Sequence, residues 1–398
     1  MGITPDAIKI RLEQNWLEFL KVNSSKLQSE KLDGSSPPSV FVGEFGYPKV
    51  RVGPLVPPFH GDTVILDKPE LWAGKNLEEV IGYRLGLVLG TVVKNVHQTD
   101  GNYIESLQDL AMSQRPADSE VTFERKISIA NSLNGTLYDG ASTPFGPSAP
   151  VKQLSLLSAS ADRRIESAYY DTDLHASDAI FDMYSAGLDV SNINRVLSMG
   201  MIGVKKARRL VPTKWSITAT DDVISRRLVS NLESYPTIDI CELTSYRHMD
   251  NLYSVILLPM QNWSFELIEY WITRTGEIAV GSDYEGPLGL NHYPETAGAF
   301  YAAKLAVTEY FEKIGRKGAA IVLREIQPGY VMPMGVWQVR QGVREALKSE
   351  PRRFESINSA LQHASVRHSA SATELVQRSR IYGETKSQAK ITDFLPQE

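Results

Sequence analysis

Ser39-Val-Phe-Val-Gly43, a Gly-Tyr-Pro turn, Lys49-Val-Arg-Val-Gly53 and the exit Pro54-Leu-Val-Pro-Pro58 decide the fold class. Valine and phenylalanine suit a half-buried pleated surface, while glycine and proline punctuate it at the turn and at the end. The stretch predicts a β-hairpin whose exit is pinned by proline. Upstream, Thr4-Pro5 supplies a hydroxyl cap and a first-turn proline, and Ile8, Leu12, Trp16, Phe19 and Leu20 recur at helical spacing. A helix over 4–22 is expected, followed by a Ser- and Lys-rich linker over 23–38.

Downstream, helical and strand texts alternate. Leu77 to Leu89 reads as a helix with Glu78 and Glu79 in its first turn, and Val121 to Ser128 reads as a strand. Residues 139–150 form a turn-rich loop of a length that often borders a site. Helices follow over about 176–233, with Asp221 and Asp222 as cap and first-turn acids of a helix 221–233. Strands are expected near 238–246, 252–260, 264–273 and 319–326, and helices over 295–313, 335–348 and 354–366. The fold class is therefore α+β, with mixed helices and short, mostly antiparallel strands in two packed domains and a flexible C-terminal tail. The expected boundaries are an N-terminal helix and linker over 1–34, a first domain over 35–281, a second over 282–369, and a Ser-, Gln- and Thr-rich tether and tail over 370–398. The boundary is placed at the glycines of Gly281-Ser-Asp-Tyr-Glu-Gly286.

Charge and composition narrow the function. The chain has 398 residues, 42% of them hydrophobic, and a net charge of −5. Those values suit ordinary globular cores and argue against a protein that coats DNA through bulk positive charge. The single cysteine, Cys241, excludes an internal disulfide and any cysteine-rich zinc site. No signal segment or membrane-length apolar run is seen, so a cytoplasmic protein without membrane partners is expected.

The last eleven residues carry the sharpest motif. Gln388, Ile391, Phe394 and Leu395 are spaced so that one tight helical turn gathers the three apolar side chains into a plug, with the Gln388 amide at its rim. Its neighbours are polar or turn-forming, so the plug needs another protein's groove unless it folds back on the body. The pattern Gln-x-x-Ile-x-x-Phe-Leu at 388–395 resembles the motif with which replication and repair proteins dock on the DNA sliding clamp (PCNA).

A wider resemblance covers nearly everything from about residue 35 onward. Ser35 to Pro58, Arg209-Leu-Val-Pro-Thr-Lys-Trp-Ser-Ile-Thr218, Tyr301-Ala-Ala-Lys304, Arg324-Glu-Ile-Gln-Pro-Gly-Tyr330 and Pro333-Met-Gly-Val-Trp-Gln-Val-Arg340 are similar to stretches of the archaeal Nre family of DNA repair proteins. The resemblance implies a repair factor, and family members commonly carry a C-terminal clamp-binding motif. It also implies DNA or other repair proteins as partners. The four-cysteine, zinc-holding cluster of many relatives is missing, so no zinc is expected.

Other constellations leave alternatives open. Lys205, Lys206, Arg208, Arg209 and Lys214 form the densest basic run and are candidate phosphate contacts, or else a solvated face. Asp162, Asp171, Asp173 and His175 supply the oxygen and imidazole donors that a metal-dependent nuclease would gather around a divalent cation, or else cap the helix near Ala176. A nuclease using the acidic 162–182 stretch and a non-catalytic repair scaffold are thus the rival readings. His60 and Asp62, with Arg51 before them, can polarise a water on a tight turn, or form a satisfied turn histidine. The chain contains no phosphate-binding glycine loop, hydrolase elbow or assembled metal site, and no cofactor is identified.

Overall fold

The computed structural model describes residues 14–127 and 146–387, apart from Trp16, Leu20, Gln28 and Ser158. The chain is α+β and divides into two compact units. The first holds the described residues up to Ile224 together with Val331–Gln338, and the second holds Ser225–Tyr330 with Val339 onward. Each unit is built on one six-stranded sheet.

The first sheet contains β1 (Lys31–Ser36), β2 (Val40–Val42), β3 (Lys49–Val56), β4 (Val88–Asn95), β5 (Ala117–Phe123) and β6 (Ser148–Leu156) in the order β1-β5-β6-β4-β3-β2. Only β4 and β6 run parallel. The hairpin forms as its sequence predicts, with Val40 opposite Pro54 and Val42 opposite Val52. Val50 and Val52 face the core while Lys49 and Arg51 face water. This is the period-two alternation of a sheet with one solvated face.

The linker expected over 23–38 is instead structured. Ser24–Leu27 forms helix α1, and β1 pairs with β5 over six residues. Its buried positions are Leu32, Gly34, Ser35 and Ser36, small or polar residues that leave no apolar period to read. Gly34 is required by close approach, since a Cβ there would lie 2.0 Å from the Pro57 carbonyl oxygen. Helix α2 (Leu77–Leu85) starts with a capping box in which Asn76 and Glu79 each accept from the other's backbone, but it ends before 89 because Val88 begins β4. Strand β5 starts four residues before the expected 121–128 and overlaps it at 121–123. Residues 148–150 of the expected loop belong to β6, while 139–145 lie outside the described residues. Of the expected N-terminal helix, described residues between 14 and 22 are helical and the start lies outside them.

Helices α3 (Asn102–Met112), α4 (Arg163–Tyr170), α5 (Ala176–Ser185) and α6 (Val190–Ser198) complete the first unit. α3 packs on β6 and α6, burying Ile104, Leu107 and Leu110. Helix α7 (Thr213–Leu232) begins eight residues before the expected 221, so Asp221 and Asp222 sit inside it, and Asp221 is fully buried.

The second sheet comprises β7 (Cys241–His248), β8 (Asn251–Leu258), β9 (Ser264–Ile272), β10 (Ile278–Glu285), β11 (Ala319–Ile326) and β12 (Arg352–Phe354), ordered β10-β9-β11-β8-β7-β12. β11 lies parallel to β9 after a crossover through helix α8 (Gly298–Ile314). Every residue of β11 is buried, as befits a central strand covered on both faces. Most of the expected boundary segment 281–286 is edge strand, since Ile278–Glu285 pairs along β9 without a break. Helices α9 (Trp337–Lys348) and α10 (Ile357–Ser365) follow near their expected places.

The expected tether over 370–387 is folded. Helices α11 (Ala372–Arg378) and α12 (Arg380–Ser387) bury Leu375, Ile381 and Tyr382 in one cluster with Ile268, Ile321 and Leu361. Two buried carboxylates tie this segment down. Glu266 accepts from Ser379 Oγ at 2.6 Å and from the Arg380 N–H at 2.7 Å, at the positive end of α12. Glu325 accepts from the Ser369 N–H and hydroxyl.

Candidate functional site

The acids near 171 and the bases near 208 meet in the first unit. The Lys205 N–H donates to the Thr172 carbonyl at 2.9 Å. Arg208 donates to the carbonyls of Gly203 (2.8 Å), Tyr169 (2.8 Å) and Asp171 (2.5 Å), and its guanidinium lies 5.6 Å from the Tyr169 ring centroid. The fork thus satisfies carbonyls at the C-terminal end of α4, where a cation is favoured. Partial burial lowers the Arg208 pKa from its ordinary value, against the pull of Tyr169 and Asp171.

The acids are engaged locally. Asp162 caps α4, accepting from the Arg164 N–H and from its guanidinium at 2.9 and 2.6 Å, and this hydrogen bonding lowers the Asp162 pKa. Asp171 accepts from the N–H groups of Leu174 and Asp173, a short polar turn that holds its carboxyl below the usual range. Asp173 and His175 are exposed, and His175 starts α5 through its carbonyl with no side-chain cap. Among the described residues, no three His, Cys, Asp or Glu side chains converge as metal ligands would. Lys205, Lys206 and Arg209 are exposed.

Lys214 belongs to a different group. The β2–β3 turn lies against the start of α7: the Val42 N–H donates to Thr213 Oγ1 at 2.9 Å, and Glu44 accepts from Lys214 Nζ at 3.3 Å and from Trp215 Nε1 at 3.1 Å. The Tyr47 and Trp215 rings stand 5.2 Å apart. Two of the stretches singled out by resemblance, far apart in sequence, are therefore one surface. Its tip is aromatic and open, with Phe45 91%, Tyr47 45% and Trp215 44% exposed.

His60 finds partners other than those expected. It lies between Asp33 (Nε2 to Oδ2, 3.0 Å) and Asp118 (Nδ1 to Oδ1, 3.1 Å), and Ser35 Oγ donates to the same Asp118 oxygen at 2.6 Å. Asp62 accepts instead from the Val64 N–H. The hydrogen bonds to Asp118 and Asp33 raise the His60 pKa, and those from Ser35 and His60 lower that of Asp118. No local spacing announces this group, because Asp33 and Asp118 come from the β1–β5 pair. Arg51 lines a separate cavity of about 320 Å³ with Thr91, Val93, Glu124, Arg125 and Pro150. Gln388, Ile391, Phe394 and Leu395 lie outside the described residues.

In the second unit, the charged stretches that resemble the family form buried pairs. Lys304 Nζ meets Glu285 at 2.6 Å, with both side chains almost wholly buried, and Arg324 bridges Glu269 at 2.6 Å and Asn251 at 2.9 Å. Removing one partner of such a pair leaves an uncompensated charge, so these residues hold sheet to helix and strand to strand.

Among the described residues, no helix is long and apolar enough to cross a membrane. No solved structure is a significant match to the chain. Family models do match: "Archaeal Nre, N-terminal" over residues 11–276 and "Archaeal Nre, C-terminal" over residues 285–394. The chain is 40% identical over 335 residues to the DNA repair protein NreB of Archaeoglobus fulgidus, covering 83% of each chain. It is 37% identical over 357 residues to NreA of the same organism (88% of each chain) and 32% identical over 353 residues to NreA of Haloferax volcanii (84% of this chain, 83% of the relative), both likewise named DNA repair proteins. With most of its length covered by these two models and these relatives, the chain belongs to the archaeal Nre family.

Proposed function

We propose that the protein is a DNA repair factor recruited to its site of action by docking on the sliding clamp through Gln388, Ile391, Phe394 and Leu395. The observation that carries this reading is the coincidence of that spacing with a chain whose relatives are named DNA repair proteins. The C-terminal family model extends to residue 394 and so takes in most of the motif. The described part of α12 reaches Ser387 and is held to the body by Glu266, so the motif follows directly in sequence on an anchored segment. A plug of this size typically gives about micromolar affinity, around −8 kcal/mol, once the ordering of the segment offsets part of its apolar burial. That strength suits transient recruitment, and a ring with several identical grooves can hold several factors at once.

Replacing Phe394→Ala together with Leu395→Ala is expected to abolish clamp binding in a calorimetric titration while leaving the melting temperature of the protein unchanged. Equal affinity of wild type and double variant for the clamp would end the recruitment reading.

A further inference from the structure

We infer that the solvated face of the β2–β3 hairpin binds single-stranded DNA, with a phosphate held between Arg51 and Arg125 and a base stacked on the aromatic tip at Phe45, Tyr47 and Trp215. Two independent features point there. The first is the cavity of about 320 Å³ beside the parallel β4–β6 pair, which both arginines line. Both are exposed, and among the described residues neither has a hydrogen-bond or ion-pair partner for its guanidinium. Glu124 is the single acid in the lining, so the two guanidiniums exceed it by one positive charge. A planar fork that is not neutralised at home is the usual phosphate ligand.

The second feature is the aromatic tip. Phe45 is 91% exposed on a turn, and Tyr47 and Trp215 keep nearly half their surface in water although they touch each other. Glu44 holds Trp215 through its indole N–H, so the ring is fixed in place while a face stays open. Exposed, oriented rings beside cations that no described residue pairs are the combination that tracks a single strand, because unstacked bases offer π-faces to rings while the backbone follows the charge. A duplex keeps its bases stacked inside and gains nothing from the rings. Tyr47 lies in the turn and Arg51 on the arm it opens, four residues on and so within roughly 14 Å along the chain, and one segment of single strand reaches both.

The choice of DNA rests on the repair reading above, but the binding does not require the clamp, so the test uses the full-length protein alone. Fluorescence anisotropy with a labelled oligodeoxynucleotide over a salt series compares wild type, Arg51→Ala/Arg125→Ala and Phe45→Ala. The arginine pair is expected to weaken binding about tenfold or more and to flatten the log–log salt slope by about 0.7, the one single-strand phosphate they share. Phe45→Ala, at a position too exposed to disturb the fold, is expected to weaken binding about fivefold with the slope unchanged. Failure of wild type to bind, unchanged affinity in either variant, or tighter binding of a duplex than of a single strand would each overturn the inference. So would displacement of the oligonucleotide by inorganic phosphate at equal phosphate concentration, which would make the cavity a free-anion site. None of these outcomes bears on the Phe394 and Leu395 titration, so the two readings fail separately.

Discussion

At the scale of single residues, His60 shows how strand pairing creates chemistry that local sequence does not spell. Its imidazole is half exposed, yet it sits between carboxylates from two strands, and hydrogen bonds to both raise its pKa from the ordinary value of 6.5. A raised folded pKa means that the attraction is fully present below about 6.5 and is lost as pH rises through the folded value. An NMR titration of the His60 ring is therefore expected to give a midpoint above 6.5, and Asp118→Asn to move it back toward 6.5. An unmoved midpoint in that variant would show that Asp118 is not the cause. Arg208 teaches the complementary lesson. In sequence it reads as one cation of a basic run, but its guanidinium is spent on three backbone carbonyls, while its neighbours Lys205, Lys206 and Arg209 stay exposed.

At the scale of elements, what was legible depended on whether an element carries its own period. β11 opens on five consecutive apolar residues, Ala319 to Leu323, and spans the 319–326 that its sequence predicts, and the 39–58 hairpin announces itself through alternation and turn residues. β1 and β10 do not, because β1 buries mostly small residues and the buried positions of the edge strand β10 are two acids, Asp283 and Glu285. The two last helices give no legible period for a related reason. Each is only seven or eight residues long and buries few side chains, so no period accumulates, and their anchors Glu266 and Glu325 lie 113 and 44 residues away from Ser379 and Ser369. Glu266→Ala removes the acceptor for Ser379 and for the first N–H of α12, a loss of about 2 kcal/mol for hydrogen bonds to a charged group. Amide exchange over 380–387 is expected to quicken at least about tenfold while β9 keeps its protection. Uniform quickening of both would mean that Glu266 supports the sheet as a whole. The candidate site is uneven in the same way: the bases at 205–209 are neighbours in sequence, whereas the meeting of Glu44 with Lys214 and Trp215 required the fold.

At the scale of the whole molecule, the two units are not two consecutive lengths of chain. The family models divide between residues 276 and 285, but Val331–Gln338 belongs to the first unit, where the Trp337 ring meets Trp72 edge-on at 4.8 Å and both are buried. A fragment ending at residue 276 is thus expected to leave Trp72 without its partner, to melt at a lower temperature than the intact chain and to bind a hydrophobic dye. A fragment as stable as the full protein would show that Trp337 adds nothing to the first core. The same threading bears on biogenesis. As the polypeptide emerges from the ribosome, the last piece of the first core appears only after strands β7 to β11 have been made. The nascent first unit must wait, incomplete, for a tryptophan translated after most of the second unit's strands, so premature termination anywhere before codon 337 yields not one finished unit but none.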